Sequence, residues 1–139
     1  MQKPRAPHRQ SGTILLDALI AIVIFSIGIL GMVKLQGQAV SAAGQAKYRT
    51  DAALLADQII ARMWGSNPAQ LATNFKGTSG TGPQGYTDWN SAVANALPNG
   101  KGTIDVDTSN FVVVTVAWQT KDSADQPVHT YVSRTQITR

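Results

Sequence analysis

Residues 13 to 33, TILLDALIAIVIFSIGILGMV, decide the topology of the chain before any other feature. Only Thr13, Asp17 and Ser26 among these 21 residues are clearly polar, and a helix needs about 20 apolar residues to cross the hydrocarbon of a bilayer. A cleaved secretory signal is the competing reading, with Lys3, Arg5 and Arg9 as its basic start and the small residues AVSAAG (39 to 44) as its cleavage region. The apolar run exceeds the roughly 7 to 15 residues usual for such a segment. Lys34, Gln36 and Gln38 also separate it from the small cluster. A membrane span fits better, and the positive end then stays in the cytoplasm while the bulk of the chain lies outside.

The rest of the composition sets limits. In 139 residues there is room beside the span for one small domain with a modest core. The formal charge of +4 comes mostly from the leader: without Lys3, Arg5 and Arg9, nine basic residues face eight acidic ones. A polyanion-binding surface is therefore not implied. The absence of cysteine excludes disulfides, thiolate metal sites and a cysteine nucleophile.

Asp17 is the residue that needs a reason. A carboxylate costs about 2.5 to 3.5 kcal/mol at the centre of a spanning helix and less towards its ends, so it is normally paired or functional. One explanation is local: Asp17 reaches the head groups, or sits favourably in the field of the helix N-terminus. The other comes from its neighbours. A short basic leader ending in Gly12, an apolar helix beginning at Thr13 and a carboxylate at the fifth position from Thr13 resemble the signal of the type IV pilin superfamily. Pilins usually begin with phenylalanine and carry glutamate at the fifth place, where this chain has Thr13 and Asp17.

The resemblance implies that a prepilin peptidase cuts between Gly12 and Thr13 on the cytoplasmic face and methylates the new amino terminus. It also implies that Asp17 forms an assembly charge pair with the α-amino group of Thr13, its own or a neighbour's, once helices stack in a filament core. In a dry core the separation of such a pair strands a charge, so it fixes register more than it adds net stability. Gly28, Gly31 and Ser26 support close helix approach in the same segment.

The helix continues past the span. From Gln38 to Trp64, Ala52, Leu55, Ile59 and Met63 recur at helical spacing with Leu54, Ala56 and Ile60 beside them, while Asp51, Asp57, Gln58 and Arg62 point elsewhere. GSNP (65 to 68) supplies the stop. A continuous helix over 13 to 64 is about 78 Å long at 1.5 Å per residue, so its second half lies along something outside the membrane.

KGTSGTGPQG (76 to 85), with four glycines and a proline, reads as a mobile loop, and it lacks the Gly-Lys-Ser/Thr of a phosphate loop. In YTDWNSAVANALPNGKG (86 to 102), Thr87 or Asp88 can cap a short helix that carries Trp89, Val93 and Leu97 on one face and closes at Pro98-Asn99-Gly100. GTIDVD (102 to 107), FVVVTVAWQT (111 to 120) and VHTYVSRTQIT (128 to 138) read as three strands joined by TSN and KDSADQP, an antiparallel meander.

The tryptophan-led helix ending in LPNG and the VTVAW strand resemble minor pilins of the PilV type. The fold class expected is therefore α+β, the pilin fold, with a long N-terminal helix packed on a small antiparallel sheet. Its parts are a leader (1–12), a transmembrane and assembly half of the helix (13–34) and a periplasmic head (35–139). The head comprises the outer half of the helix (35–64), a loop region (65–100) and the β-meander (101–139).

Other chemistry has less support. His8 leaves with the leader, and His129 stands alone as an exposed strand histidine, so no metal site is expected. Asp105 and Asp107 share one side of a strand but lack the ligand loop that calcium requires. Lys101, Lys121, Arg134 and Arg139 are offset by Asp105, Asp107, Asp122 and Asp125, which disfavours nucleic acid. No nucleophile-elbow serine or catalytic carboxylate pair is legible, so neither an enzyme nor a cofactor is expected.

The function implied is that of a minor pilin, which starts or modifies a type IV pilus or sits at its tip. Its partners would be other minor pilins, the major pilin, the prepilin peptidase and the inner-membrane assembly machinery. Pseudopilins of type II secretion share the N-terminal signal and remain the alternative. A tip adhesin is a third reading, and it requires exposed aromatic side chains such as Tyr86 or Trp89 in the 69 to 100 region.

Overall fold

The computed structural model describes residues 11–120 and 128–138. Residues 1–10 of the leader, with His8, the KDSADQP connection with Lys121, and Arg139 lie outside the described residues. The element order is α1 (Ser11–Trp64), a 3₁₀ turn (Pro68–Gln70), α2 (Leu71–Phe75), α3 (Gln84–Ala96), β1 (Lys101–Val106), β2 (Phe111–Trp118) and β3 (His129–Gln136). It is the α+β arrangement expected of a pilin-like fold: a long N-terminal helix, short helices and a three-stranded antiparallel sheet. The chain divides into two units, Met1–Ala43 and Gly44–Arg139.

In the first unit the described residues belong to one helix. Its apolar side chains are exposed throughout, for example Phe25 at 68% and Leu30 at 75%. The helix is long and apolar enough to cross a membrane, with a mean hydropathy of 2.7 in its most apolar window. Ser26 returns its hydroxyl to the carbonyl of Ile22 at 2.7 Å, which satisfies the one polar group in the middle of the run within the helix itself.

The second unit holds the core. Ala52, Leu55, Ala56, Ile59 and Met63 form the buried stripe of α1, at the helical spacing the sequence shows. Leu54, expected beside that stripe, is 57% exposed, because at 100° per residue it falls on the opposite side from Ala52 and Ala56. The helix ends at Trp64, where Ser66 donates its hydroxyl to Arg62 O at 3.0 Å and Asn67 accepts from Ala69 N at 3.0 Å to start the next turn.

The strands run in the order β1-β2-β3. Strict alternation turns Val112, Val114, Val116 and Trp118 inward, as a sheet with one packed face requires. Ile104 and Val106 of β1 complete that face. The observed ends differ from the expected strands by one or two residues. Asp107 is not in a strand: its carboxylate accepts from Ser109 N and Phe111 N, both at 2.8 Å, and shapes the β1–β2 turn.

Residues 65–100 depart most from the sequence reading. Pro68–Gln70 and α2 were not anticipated, and they bring Leu71 and Phe75 into the core. The glycine-rich stretch is ordered. Gly77 exchanges both backbone hydrogen bonds with Ile104 at 2.9 and 3.0 Å. Thr78 and Thr81 pair across Ser79 and Gly80, whose φ angles of 52° and 81° make a type I′ turn.

The helix expected to begin at Thr87 or Asp88 begins at Gln84 after Pro83, with no side-chain cap. Thr87 instead donates to Gln84 O at 3.2 Å, and Asp88 accepts from Gln84 Nε2 at 2.6 Å. The fixed φ of proline starts the helix a turn earlier. Trp89, Val93 and Leu97 are buried as expected.

Tyr86 explains the glycines. Its ring is fully buried, and a Cβ on Gly77 would overlap it. Its hydroxyl donates to Gly102 O at 2.8 Å and accepts from Gly80 N at 3.0 Å. Tyr86→Phe therefore leaves a buried carbonyl without its donor, and it should cost about 1 to 3 kcal/mol in urea unfolding.

Candidate functional site

Gly12, Thr13 and Asp17 all lie in the first turns of α1. Thr13 and Asp17 are four residues apart in an unbroken helix, so they share one face a single turn apart. Both side chains are exposed. A helix N-terminus carries unpaired N–H groups and a partial positive charge, and a carboxylate within its first turns is favoured there. Below Asp17, the next polar side chain of the run is Ser26, which bonds within the helix. Asp17 is therefore the one formal charge in residues 13–33. Gly28 and Gly31 have open space where a side chain would stand. The small cluster 39–44 lies inside α1.

The head contributes a second set of polar residues, and most of them hold structure. On α1, Lys47 bonds Asp51 at 3.0 Å one turn on. The hydrogen bond and charge of Asp51 hold the Lys47 ammonium above the usual lysine range. Lys76 Nζ reaches the Asp105 carboxylate at 2.8 Å and Val106 O at 3.4 Å, which ties the glycine-rich segment to β1. Asp105 is thus not simply a solvated carboxylate. The hydrogen bond from Lys76 lowers its pKa, and partial burial opposes that only in part.

Asn90 accepts from Gly102 N at 2.8 Å, and Asn99 donates to Gln119 O at 3.2 Å. These polar ties were not legible, because each joins residues at least twelve positions apart.

Three expectations change with the geometry. His129 is half-buried and stacks on Trp118, with centroids 5.7 Å apart and planes 23° from parallel. It is not a freely exposed strand histidine, because its position on the inward face opposite Trp118 puts the two rings together. Tyr86 is fully buried and Trp89 is 4% exposed, so neither can serve as the exposed aromatic contact of an adhesin. The burial follows from the core that forms between α1, α3 and β1. Asp105 and Asp107 do not share a strand face, since β1 ends at Val106.

Among the described residues, no group of three or more His, Cys, Asp or Glu side chains could hold a metal ion. An open cleft of about 660 Å³ runs between Lys47 and Tyr48 of α1 and residues 94–100. Comparison with known families, with curated proteins and with solved structures finds no match to this chain.

Asp105 gives the head an acid-sensitive contact. Its folded-state pKa lies below its unfolded value, so its stabilisation is complete above the usual carboxylate range near pH 4 and is lost as pH falls through the lowered value. Both partners are more than half exposed, which limits the effect to less than about 1 kcal/mol. The melting temperature of Lys76→Met should lie slightly below that of the unmodified chain at pH 6, and the two should converge in acid once pH has fallen through the lowered pKa of Asp105.

Proposed function

We propose that the chain is a minor pilin of a type IV pilus. On this reading the leader is removed between Gly12 and Thr13, the apolar part of α1 anchors the subunit in the bacterial inner membrane, and the Gly44–Arg139 unit is a periplasmic head. The subunit then passes into the filament or its tip. The observation that carries the proposal is one helix, Ser11–Trp64, with two different environments. Gly12 and Thr13 stand in its first turn, Asp17 is the fifth residue counted from Thr13, and its last turns carry the buried stripe of the α+β head.

A plain membrane anchor needs no charge in its span and would be cheaper to insert without one. A filament subunit has a use for it. Transfer of α1 from lipid into a core of parallel helices leaves Asp17 without water, and a free α-amino group at Thr13 supplies the compensating charge. Processing at Gly12 creates that amine, so cleavage and assembly are coupled by one ion pair. Cleavage also removes Lys3, Arg5 and Arg9, which would otherwise hold the helix end at the cytoplasmic face.

The burial of Tyr86 and Trp89 removes the aromatic surface on which the adhesin reading relied. Pilus and secretion-system assembly use the same processing and anchoring chemistry, and a gene deletion scored for piliation by electron microscopy separates them. Loss of surface filaments with intact secretion supports the pilus reading.

After coexpression with a prepilin peptidase, intact mass and N-terminal sequencing should give a chain beginning at Thr13, with or without one methyl group on its amine. A bulky replacement of Gly12 should leave the full precursor in the membrane. A product beginning near Gly44 would overturn the pilin reading. Asp17→Ala should be cut normally but enter filaments poorly, because the buried amine of Thr13 loses its partner at a cost of about 3 to 5 kcal/mol. Immunoblots of sheared filaments read that outcome.

A further inference from the structure

The connection between α3 and β1 contains the dipeptide Asn99-Gly100, and the fold gives a reason for each residue. Gly100 N donates to Leu97 O at 3.0 Å and closes a β-turn whose central residues are Pro98 and Asn99. Asn99 has a φ of 51°, the left-handed conformation that a type II turn requires after its proline and that asparagine and aspartate tolerate better than other residues with side chains. Gly100 is buried, and a Cβ there would overlap Val93 O. Only glycine fits that place.

Asparagine followed by glycine is also the pair most prone to attack itself, because no side chain shields the glycine nitrogen. In that reaction the Gly100 nitrogen gives up its proton and bonds Asn99 Cγ. The Cγ–Nδ2 bond breaks, and the side-chain nitrogen leaves as ammonia with the proton that Gly100 released. Water then opens the cyclic imide, at Cγ to give aspartate or at the backbone carbonyl of Asn99 to give isoaspartate.

The folded turn opposes every part of this sequence. The proton of Gly100 is held on Leu97 O, and the side-chain amide of Asn99 is held by its bond to Gln119 O at 3.2 Å. Packing against Val93 O and Leu97 keeps Gly100 from turning its nitrogen towards Cγ. Gln119 N donates in return to Pro98 O at 3.0 Å, which fastens the turn to the end of β2. Asn99 itself is exposed, and with Gly100 it lines the open cleft of about 660 Å³, so water is at hand once the turn opens.

We propose that Asn99-Gly100 is a self-modification site, closed in the folded head and switched on by local opening of the α3–β1 turn. The reaction consumes only water and does not depend on cleavage at Gly12. Its products cannot restore the turn. A carboxylate replaces the amide that donates to Gln119 O and has no proton to give, and isoaspartate adds a methylene to the main chain where Gly100 must reach Leu97 O. A transient opening is thereby converted into a lasting change at the end of β2.

The test follows deamidation of Asn99 by peptide mass spectrometry in the full-length chain, held in detergent micelles in mildly alkaline buffer with or without guanidinium chloride. The folded chain should react at least about tenfold more slowly than the denatured one, the factor that about 1.4 kcal/mol of local opening imposes. Leu97→Ala keeps the dipeptide but removes the buried anchor of the turn. It should react several-fold faster than the unmodified chain in buffer and at the same rate in denaturant. The isoaspartate form, separated from the aged chain by chromatography, should have lost the protection of the Gly100 and Gln119 amides against hydrogen exchange. Equal rates in buffer and denaturant, a faster rate in buffer, indifference to Leu97→Ala, or intact amide protection in the isoaspartate form would each overturn the proposal.

Discussion

The indole of Trp89 is the point on which the head depends. Its N–H donates to the carbonyl of Leu55, 2.8 Å away in the middle of α1, and its ring lies where a side chain on Gly102 of β1 would otherwise be. Tyr86 packs beside it at a tilted 55°, 6.2 Å between centroids. One side chain thus joins the long helix, the short helix and the sheet. A buried indole requires a hydrogen-bond acceptor, and a helix carbonyl can accept a second donor at little cost to the helix. Ala52 and Ala56, both fully buried, keep the surface of α1 low enough for the head to approach.

From that anchor the order of the rest follows. The inward valines of β2 and the α1 stripe belong to one buried cluster, and the glycine-rich segment closes over Tyr86 with Gly77 bridged to Ile104. The head therefore needs no disulfide to hold 65–100 in place. Hydrogen bonds from a tyrosine hydroxyl and from Asn90, together with the Lys76 contact to Asp105, replace it. The first unit obeys a different rule. Among the described residues its apolar side chains are exposed along a helix long and apolar enough to cross a membrane, and Asp17 is the one formal charge in residues 13–33.

How far the sequence could be read depended on the range of the interaction involved. The span, the buried stripe from Ala52 to Met63, the inward face of α3 and the three strands all arise from patterns within a few residues, and each was legible. The structure sets Gly12, Thr13 and Asp17, which the sequence singles out by their spacing, in one helix. The glycine-rich segment was misread because composition reports what a backbone is able to do, whereas its order comes from Tyr86, which no local pattern announces. The same limit hid α2, a helix of five residues too short to show a period. His129 was misread because only the register brings it opposite Trp118.

The sequence by itself determined that an apolar helix leads into a small α+β head, that a lone carboxylate sits one turn into that helix, and that the head is nearly neutral and free of cysteine. These are properties of composition and short-range periodicity, which survive any arrangement of the parts. Only the tertiary structure decided which glycines surround an aromatic ring, that Tyr86 and Trp89 are core and not surface, and that Lys76 holds Asp105. Each of those requires residues far apart in the chain to meet, and their meeting is fixed by the shared burial of α1, α3 and the sheet.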